Sequence, residues 1–217
     1  MIMKKLSILL IIGVLACVSH KTMAQSFNAG LVVGPAFCQV DGDHYAGFHQ
    51  LGFTAGFYAN LPLENHFSVQ MELKYSLLGA HSSGREVNEF YYNPYSLRLH
   101  YAEIPLMLQY DLGGFNLGGR RLDFITLEAG VSADVRLRAT EDVDADFQVT
   151  TSRWNAFSAT ANGGIHFAFN DHLGLGVRYM YSVVPCRFSG YTGWFYNQYY
   201  NKVVMFTLTY NINSPLR

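Results

Sequence analysis

Side chains alternate in character along the last segment of this chain. Val204, Phe206, Leu208, Tyr210 and Ile212 share one phase, while Met205, Thr207, Thr209 and Asn211 share the other. Successive residues of a β-strand point to opposite faces, so a period of two describes a segment with one apolar and one polar surface. The pattern recurs from Phe27 to Ile212. It restricts the chain to an all-β fold whose sheet separates two media. Closed on itself, such a sheet is either a soluble barrel with an apolar interior or a membrane barrel with an apolar exterior.

The composition of the polar phase decides between them. The apolar phase runs through Phe53 and Phe57, Val69 and Leu73, Ile104 and Leu108, Leu127 and Val131, Phe157 and Ile165, and Leu175 and Val177. The other phase holds Gly, Ser, Thr and Asn with a few charges, namely Glu72, Lys74, Glu103, Glu128, Asp134, Arg136 and Arg178. The outer face of a soluble barrel needs many Lys and Glu for solubility, yet only 14% of this chain is charged. Small polar residues suit the narrow lumen of a small barrel. Charges of both signs among them predict internal ion pairs that close it. Aromatics at the ends of the apolar phase, such as Phe67, Tyr75, Tyr110 and Phe124, suit the two girdles of a bilayer interface. The expectation is an eight-stranded, antiparallel, up-and-down transmembrane β-barrel.

Its strands are expected at about 27–38, 51–61, 66–78, 97–110, 122–138, 154–169, 172–184 and 201–212. The connections 62–65, 111–121 and 170–171 are the shorter set. Those at 39–50, 79–96, 139–153 and 185–200 are longer, so all the long ones fall at one end. Outer-membrane barrels show this asymmetry, with short periplasmic turns and long external loops, and both termini are then periplasmic.

The leader agrees with that destination. Lys4 and Lys5 precede an apolar run from Leu6 to Val18, and Thr22-Met23-Ala24 presents a small-x-small cleavage pattern before Gln25. The expected division is a signal peptide over 1–24 and one barrel domain over 25–217. Val14-Leu15-Ala16-Cys17 offers a competing lipoprotein-type cut that would leave a lipidated Cys17, with Leu15 where a small residue is usual. A formal net charge of −1 gives no reason to expect nucleic acid as a partner.

Three sets of residues carry candidate chemistry. The seven charges of the inward phase form a structural ionic network, with a pore or proton path as the alternative. Cys38 and Cys186 both continue the inward phase near the long-loop end, where an oxidising compartment permits a disulfide if their Cα atoms approach within about 7 Å. The long loops are aromatic, with Phe90, Tyr91, Tyr92 and Tyr95 in one and Tyr191, Trp194, Phe195 and Tyr196 in another. Such clusters stack on sugars or bury against a protein partner, and girdle or loop packing is the plainer alternative. No cofactor or metal site is expected. Asp142-Val143-Asp144-Ala145-Asp146 departs from a calcium loop at Phe147 and Arg153, where Gly and Glu are required. His44, His49, His81, Asp41, Asp43 and Ser82 stand near the long-loop rim, but nothing sets a nucleophile beside a base, so no enzymatic activity is expected.

The chain also resembles the PorT-like family of small outer-membrane barrels. The likeness rests on Met23-Ala24-Gln25, Asn28-Ala29-Gly30-Leu31, Leu51-Gly52-Phe53-Thr54-Ala55-Gly56, Gln70-Met71-Glu72-Leu73-Lys74-Tyr75-Ser76 and Tyr101-Ala102-Glu103-Ile104-Pro105-Leu106. The last is the most specific, because proline lacks a donor and avoids central strands, so a bulge or bend is expected at Pro105. The resemblance implies an outer-membrane location and an eight-stranded barrel, and little about activity. The expected role is non-catalytic, structural or surface-interacting, with outer-membrane lipid around the wall and a protein or glycan partner at the loops. The alternatives are an accessory subunit of a secretion or uptake complex, a rim-active enzyme, and a soluble binding barrel.

Overall fold

A computed structural model describes residues 27–42, 47–83, 94–118, 120–143, 146–148, 154–188 and 198–212. Eight long strands form the wall: β1 (Asn28–Asp41), β2 (Gln50–Pro62), β3 (Phe67–His81), β4 (Tyr95–Asp111), β5 (Ile125–Val143), β6 (Phe157–Ala168), β7 (Leu173–Ser182) and β8 (Gln198–Asn211). Each pairs antiparallel with its neighbours in chain order. The sheet closes where β1 meets β8, in a register running from Gly30 opposite Asn211 to Asp41 opposite Tyr200. Closure leaves no open edge, so the ladder satisfies the backbone donors and acceptors that hydrocarbon cannot.

The faces fall as the alternation requires of a membrane barrel. Phe57, Leu73, Leu106, Val131 and Leu208 are exposed on the outside, while Glu72, Lys74, Glu103 and Thr54 are buried inside. The apolar wall ends in paired rings. At the short-turn end Phe67 packs on Tyr110 at 4.8 Å and His172 stacks on Tyr210 at 5.9 Å. At the other end Phe53 packs on Tyr75 at 5.6 Å and Tyr181 stacks on Tyr200 at 5.8 Å.

The short turns follow their residue chemistry. Asn65 and His66 take positive φ of 59° and 66° between β2 and β3, the left-handed region that Asn tolerates. The Asn170 side chain accepts the backbone N–H groups of His172 and Leu173 at 2.9 and 2.8 Å, an Asx turn that reverses the chain into β7. The longer connection after β4 is built rather than loose. A short 3-10 turn (Leu112–Gly114) is capped by Asp111, whose side chain accepts from the Gly113 N–H at 2.7 Å, and Asn116–Leu117 pairs with Arg120–Arg121.

Strand lengths differ from expectation mainly at the long-loop end. β1 runs three residues past 38, β3 reaches His81, β4 begins at Tyr95 and β8 at Gln198. There the inward phase turns apolar while the outward phase takes up polar residues such as Asp41, Arg98 and Lys202, so the contrast inverts while the ladder continues. Pro105 lies in regular register opposite Ser132, and the irregularity sits instead between His100 and Tyr101. His100 pairs with Arg138 and Tyr101 with Arg136, so Leu137 is the extra residue of a β-bulge. Before it, the buried positions of β5 are Glu128, Ser132 and Asp134, with Val135 exposed; after it, Leu137 and Arg138 are exposed and Ala139, Thr140 and Glu141 are buried. One added residue exchanges the two faces.

Candidate functional site: the stratified lumen

Side chains fill the lumen in layers. The middle layer is an ionic belt centred on Arg178 of β7. Its Nε and Nη2 donate to Glu128 at 2.9 and 3.1 Å, and its Nη1 and Nη2 donate to Glu72 at 2.9 and 2.9 Å. A planar guanidinium matches two carboxylates in this forked manner, which an ammonium cannot reproduce. Lys74 lies 3.2 Å from Glu103 and 3.7 Å from Glu72. Asp134 stands opposite Glu103 across the β4–β5 ladder and accepts a hydrogen bond from the Ser132 hydroxyl. Five of the seven predicted network residues therefore join one chain of ion pairs, and Asp134 borders it beside Glu103.

Arg136 does not join them. Its Nε donates to the Asn155 carbonyl at 2.9 Å and its Nη2 to the Trp154 carbonyl at 2.7 Å, so it clamps the backbone that enters β6. It directly precedes the bulge, where the lumen has already turned apolar, and loop carbonyls offer the acceptors a guanidinium needs.

On the long-loop side of the belt sits an apolar plug. Leu97 and Leu99 are wholly buried, and Ala36, Val40, Leu78, Ala139, Met180 and Met205 pack with them. Tyr101 enters the same cluster and accepts a hydrogen bond from Asn201 Nδ2 at 3.2 Å, across 100 residues of sequence. Above it Arg187 lies over the rings of Trp154 and Tyr199, 5.3 and 5.1 Å from their centroids, and pairs with Glu141 at 3.3 Å. These contacts cap the plug.

Three expected site residues lie inside this plug. Tyr95, expected on a loop contact surface, is the first residue of β4 and points inward, its hydroxyl donating to Glu141 at 3.4 Å. Its backbone N–H is held by Ser82 Oγ at 3.0 Å, which also engages the one rim serine considered as a nucleophile. Cys38 and Cys186 both reach the plug, but as thiols and not as a disulfide. Cys38 Sγ donates to the Ala36 carbonyl at 3.7 Å and Cys186 Sγ to the Tyr199 carbonyl at 3.1 Å. Sharing an inward phase near one end brought both into the cluster, and each thiol turns to a carbonyl of its own neighbourhood. The other aromatic candidates, Phe90, Tyr91, Tyr92, Tyr191, Trp194, Phe195 and Tyr196, lie outside the described residues, as does Asp144 of the acidic loop.

On the short-turn side of the belt the lumen opens into a polar cavity of about 330 Å³. Gln109 organises one wall, accepting from Asn60 at 2.7 Å and Ser68 at 3.1 Å and donating to Gln70 and Glu128 at 3.3 Å each. His166 and Thr209 share a hydrogen bond of 2.9 Å on the other wall. The sequence expectation of a lumen with room only for side chains holds in the plug and the belt but not here. Small residues in its lining, Gly176, Thr207 and Thr126 among them, leave the space between the larger ones, and alternation records them only as not apolar.

An apolar wall ringed by aromatics around a lumen of paired charges defines an integral β-barrel protein of the outer membrane. The chain belongs to the family described as the outer membrane protein beta-barrel domain, which matches residues 23–185. No curated protein matches it in sequence. Among solved structures it is similar to Neisserial surface protein A, at 11% identity over 86% of this chain and 97% of that one, with a TM-score of 0.47. It is also similar to Ail, the attachment invasion locus protein of Yersinia pestis, at 13% identity over 85% and 98% of the two chains, with a TM-score of 0.49. A second structure of Ail, in complex with the heparin analogue sucrose octasulfate, matches at 11% identity over 86% and 99%, with a TM-score of 0.48.

Proposed function

We propose that the protein is a PorT-like, non-catalytic barrel whose wall and lumen act as a scaffold and whose long loops make contact with a protein or glycan at the cell surface. The observation that carries this reading is the sealed lumen. Plug and belt together bury the inward side chains across the loop half of the barrel, which leaves the loop end as the place for a partner to bind. Among the described rim groups, two of the catalytic candidates are already engaged, and Asp43 and His44 lie outside the described residues. Ser82 is engaged by the Tyr95 backbone and Asp41 pairs with Lys202 at 3.8 Å. The loop aromatics, from Phe90 to Tyr95 and from Tyr191 to Tyr196, supply surface suited to stacking on sugars or burying against protein. The PorT-like assignment within the family rests on Glu103-Ile104-Pro105 and its flanking residues. In this reading the leader is cut after Ala24, both termini are periplasmic and the long loops are external.

The test is to replace residues 189–197 with a short Gly-Ser turn and crosslink intact cells. The variant should keep the heat-modifiable migration of a folded barrel and lose the surface crosslinks of the parent chain. Unchanged crosslinks would sink the loop reading. Co-purification of the parent with a larger envelope complex, unaffected by the replacement, would assign the protein to a secretion or uptake machine through its wall.

A further inference from the structure

We propose that Arg98 and Arg138, side by side on the outside of the β4–β5 wall, form a binding site for the phosphate groups of an anionic glycolipid in the outer leaflet. The proposal rests on the external placement of the long loops given above. Along β4 the outward positions are Tyr110, Leu108, Leu106, Ile104 and Ala102, followed by His100 and Arg98. Eight steps of about 3.4 Å, tilted by about 40°, raise Ala102 roughly 21 Å above Tyr110, and the same steps put His100 near 26 Å and Arg98 near 31 Å. The apolar band of such barrels is about 25 Å tall. Arg138, the register partner of His100, lies within about 3 Å of its height at this tilt, so the two guanidiniums stand at the upper edge of the hydrocarbon, against the headgroup layer.

The two arginines are diagonal neighbours across the ladder, about 7–8 Å apart at the backbone and within reach of one phosphate group. Both are exposed. Among the described residues neither lies within ion-pair distance of a carboxylate, although Asp142 is diagonal to Arg98. Elsewhere on this rim the outward cation Lys202 is paired with Asp41. Two unpaired, adjacent guanidiniums repel each other, and their forked donors match phosphate oxygens.

The bulge supplies the independent observation. In unbroken register the even positions of β5 face the lumen, and Arg138 would enter the apolar plug. The extra residue Leu137 turns Arg138 outward beside Arg98. Beneath it, Tyr75 and His100 share a hydrogen bond of 2.5 Å between the phenol oxygen and Nδ1, which ties the imidazole toward β3, on the side of β4 away from Arg138.

The full mature chain, purified in detergent, would be titrated with diphosphoryl lipid A, with its fully dephosphorylated counterpart and with inorganic phosphate, and bound lipid counted by native mass spectrometry. The proposal expects retention of the diphosphoryl form, at least tenfold weaker retention of the dephosphorylated form, and no competition from millimolar inorganic phosphate. Arg98→Gln with Arg138→Gln should weaken the diphosphoryl form about tenfold while leaving heat-modifiable migration intact, and Lys202→Gln should leave it unchanged. Equal retention by parent and double variant would overturn the proposal, as would full displacement by inorganic phosphate. An epitope inserted within 189–197 checks the topology separately. If antibody reaches it only in permeabilised cells, the loops are periplasmic and the assignment to the outer leaflet falls, whatever the lipid counts show.

Discussion

The two halves of the lumen solve the same problem by different physics. Toward the loops, Leu97, Leu99, Met180 and Met205 exclude water by close packing. Toward the turns, Asn60 and Gln70 bond to Gln109 on one wall of a cavity and His166 to Thr209 on the other. Between them the belt around Arg178 is the boundary, where charges too costly to bury alone are buried together. A lumen therefore needs no uniform character. One layer is filled by packed volume, one by ion pairs and one by hydrogen bonds.

Removing the belt's central cation should break this arrangement most severely. Arg178→Met leaves Glu72 and Glu128 facing each other without their shared partner, an expected loss of about 3–5 kcal/mol. It is checked by urea unfolding in lipid vesicles, and Arg178→Lys should recover only part of the loss. The plug comes next. Leu99→Ala removes packed volume from a site that cannot collapse around it, for about 2–4 kcal/mol in the same assay. The cavity wall should respond least, because its groups can exchange partners for water. Gln109→Ala should cost about 1 kcal/mol, and a loss matching that of Leu99→Ala would show that the turn half is packed as tightly as the loop half. The smallest effect sharpens the boundary without perturbing it. Cys38 and Cys186 should resist maleimide in the folded barrel, react after boiling, and give identical gel mobility with and without reductant.

Much of the wall was legible because bilayer and lumen impose opposite preferences on alternate residues. Phe57, Leu73 and Leu208 outside, with Glu72, Lys74 and Glu103 inside, follow directly from a period of two. The plug was not legible for the converse reason. Where Leu97, Leu99 and Tyr101 face inward, the outward Ser96, Arg98 and His100 are polar, so the period persists with its two phases exchanged and parity no longer tells lumen from wall. Parity alone groups Arg136 with Glu128 and Asp134. Parity records a face but not a height along the barrel, and at its height the available acceptors are the carbonyls of Trp154 and Asn155. The bulge at Leu137 leaves no mark in composition, since one additional leucine between two arginines reads as ordinary strand. The two cysteines share a phase and an end, yet a phase says nothing of the Cα separation that a disulfide requires.

The plug also bears on how much of this protein a cell can hold. An open barrel adds a leak with every molecule inserted, so its abundance is limited by what the envelope must keep out. A barrel filled by Leu97, Leu99 and their neighbours adds area without opening a path through that half of its lumen. Its copy number can then rise until it covers a large share of the surface, as a coat does, with the barrier function of the membrane left intact.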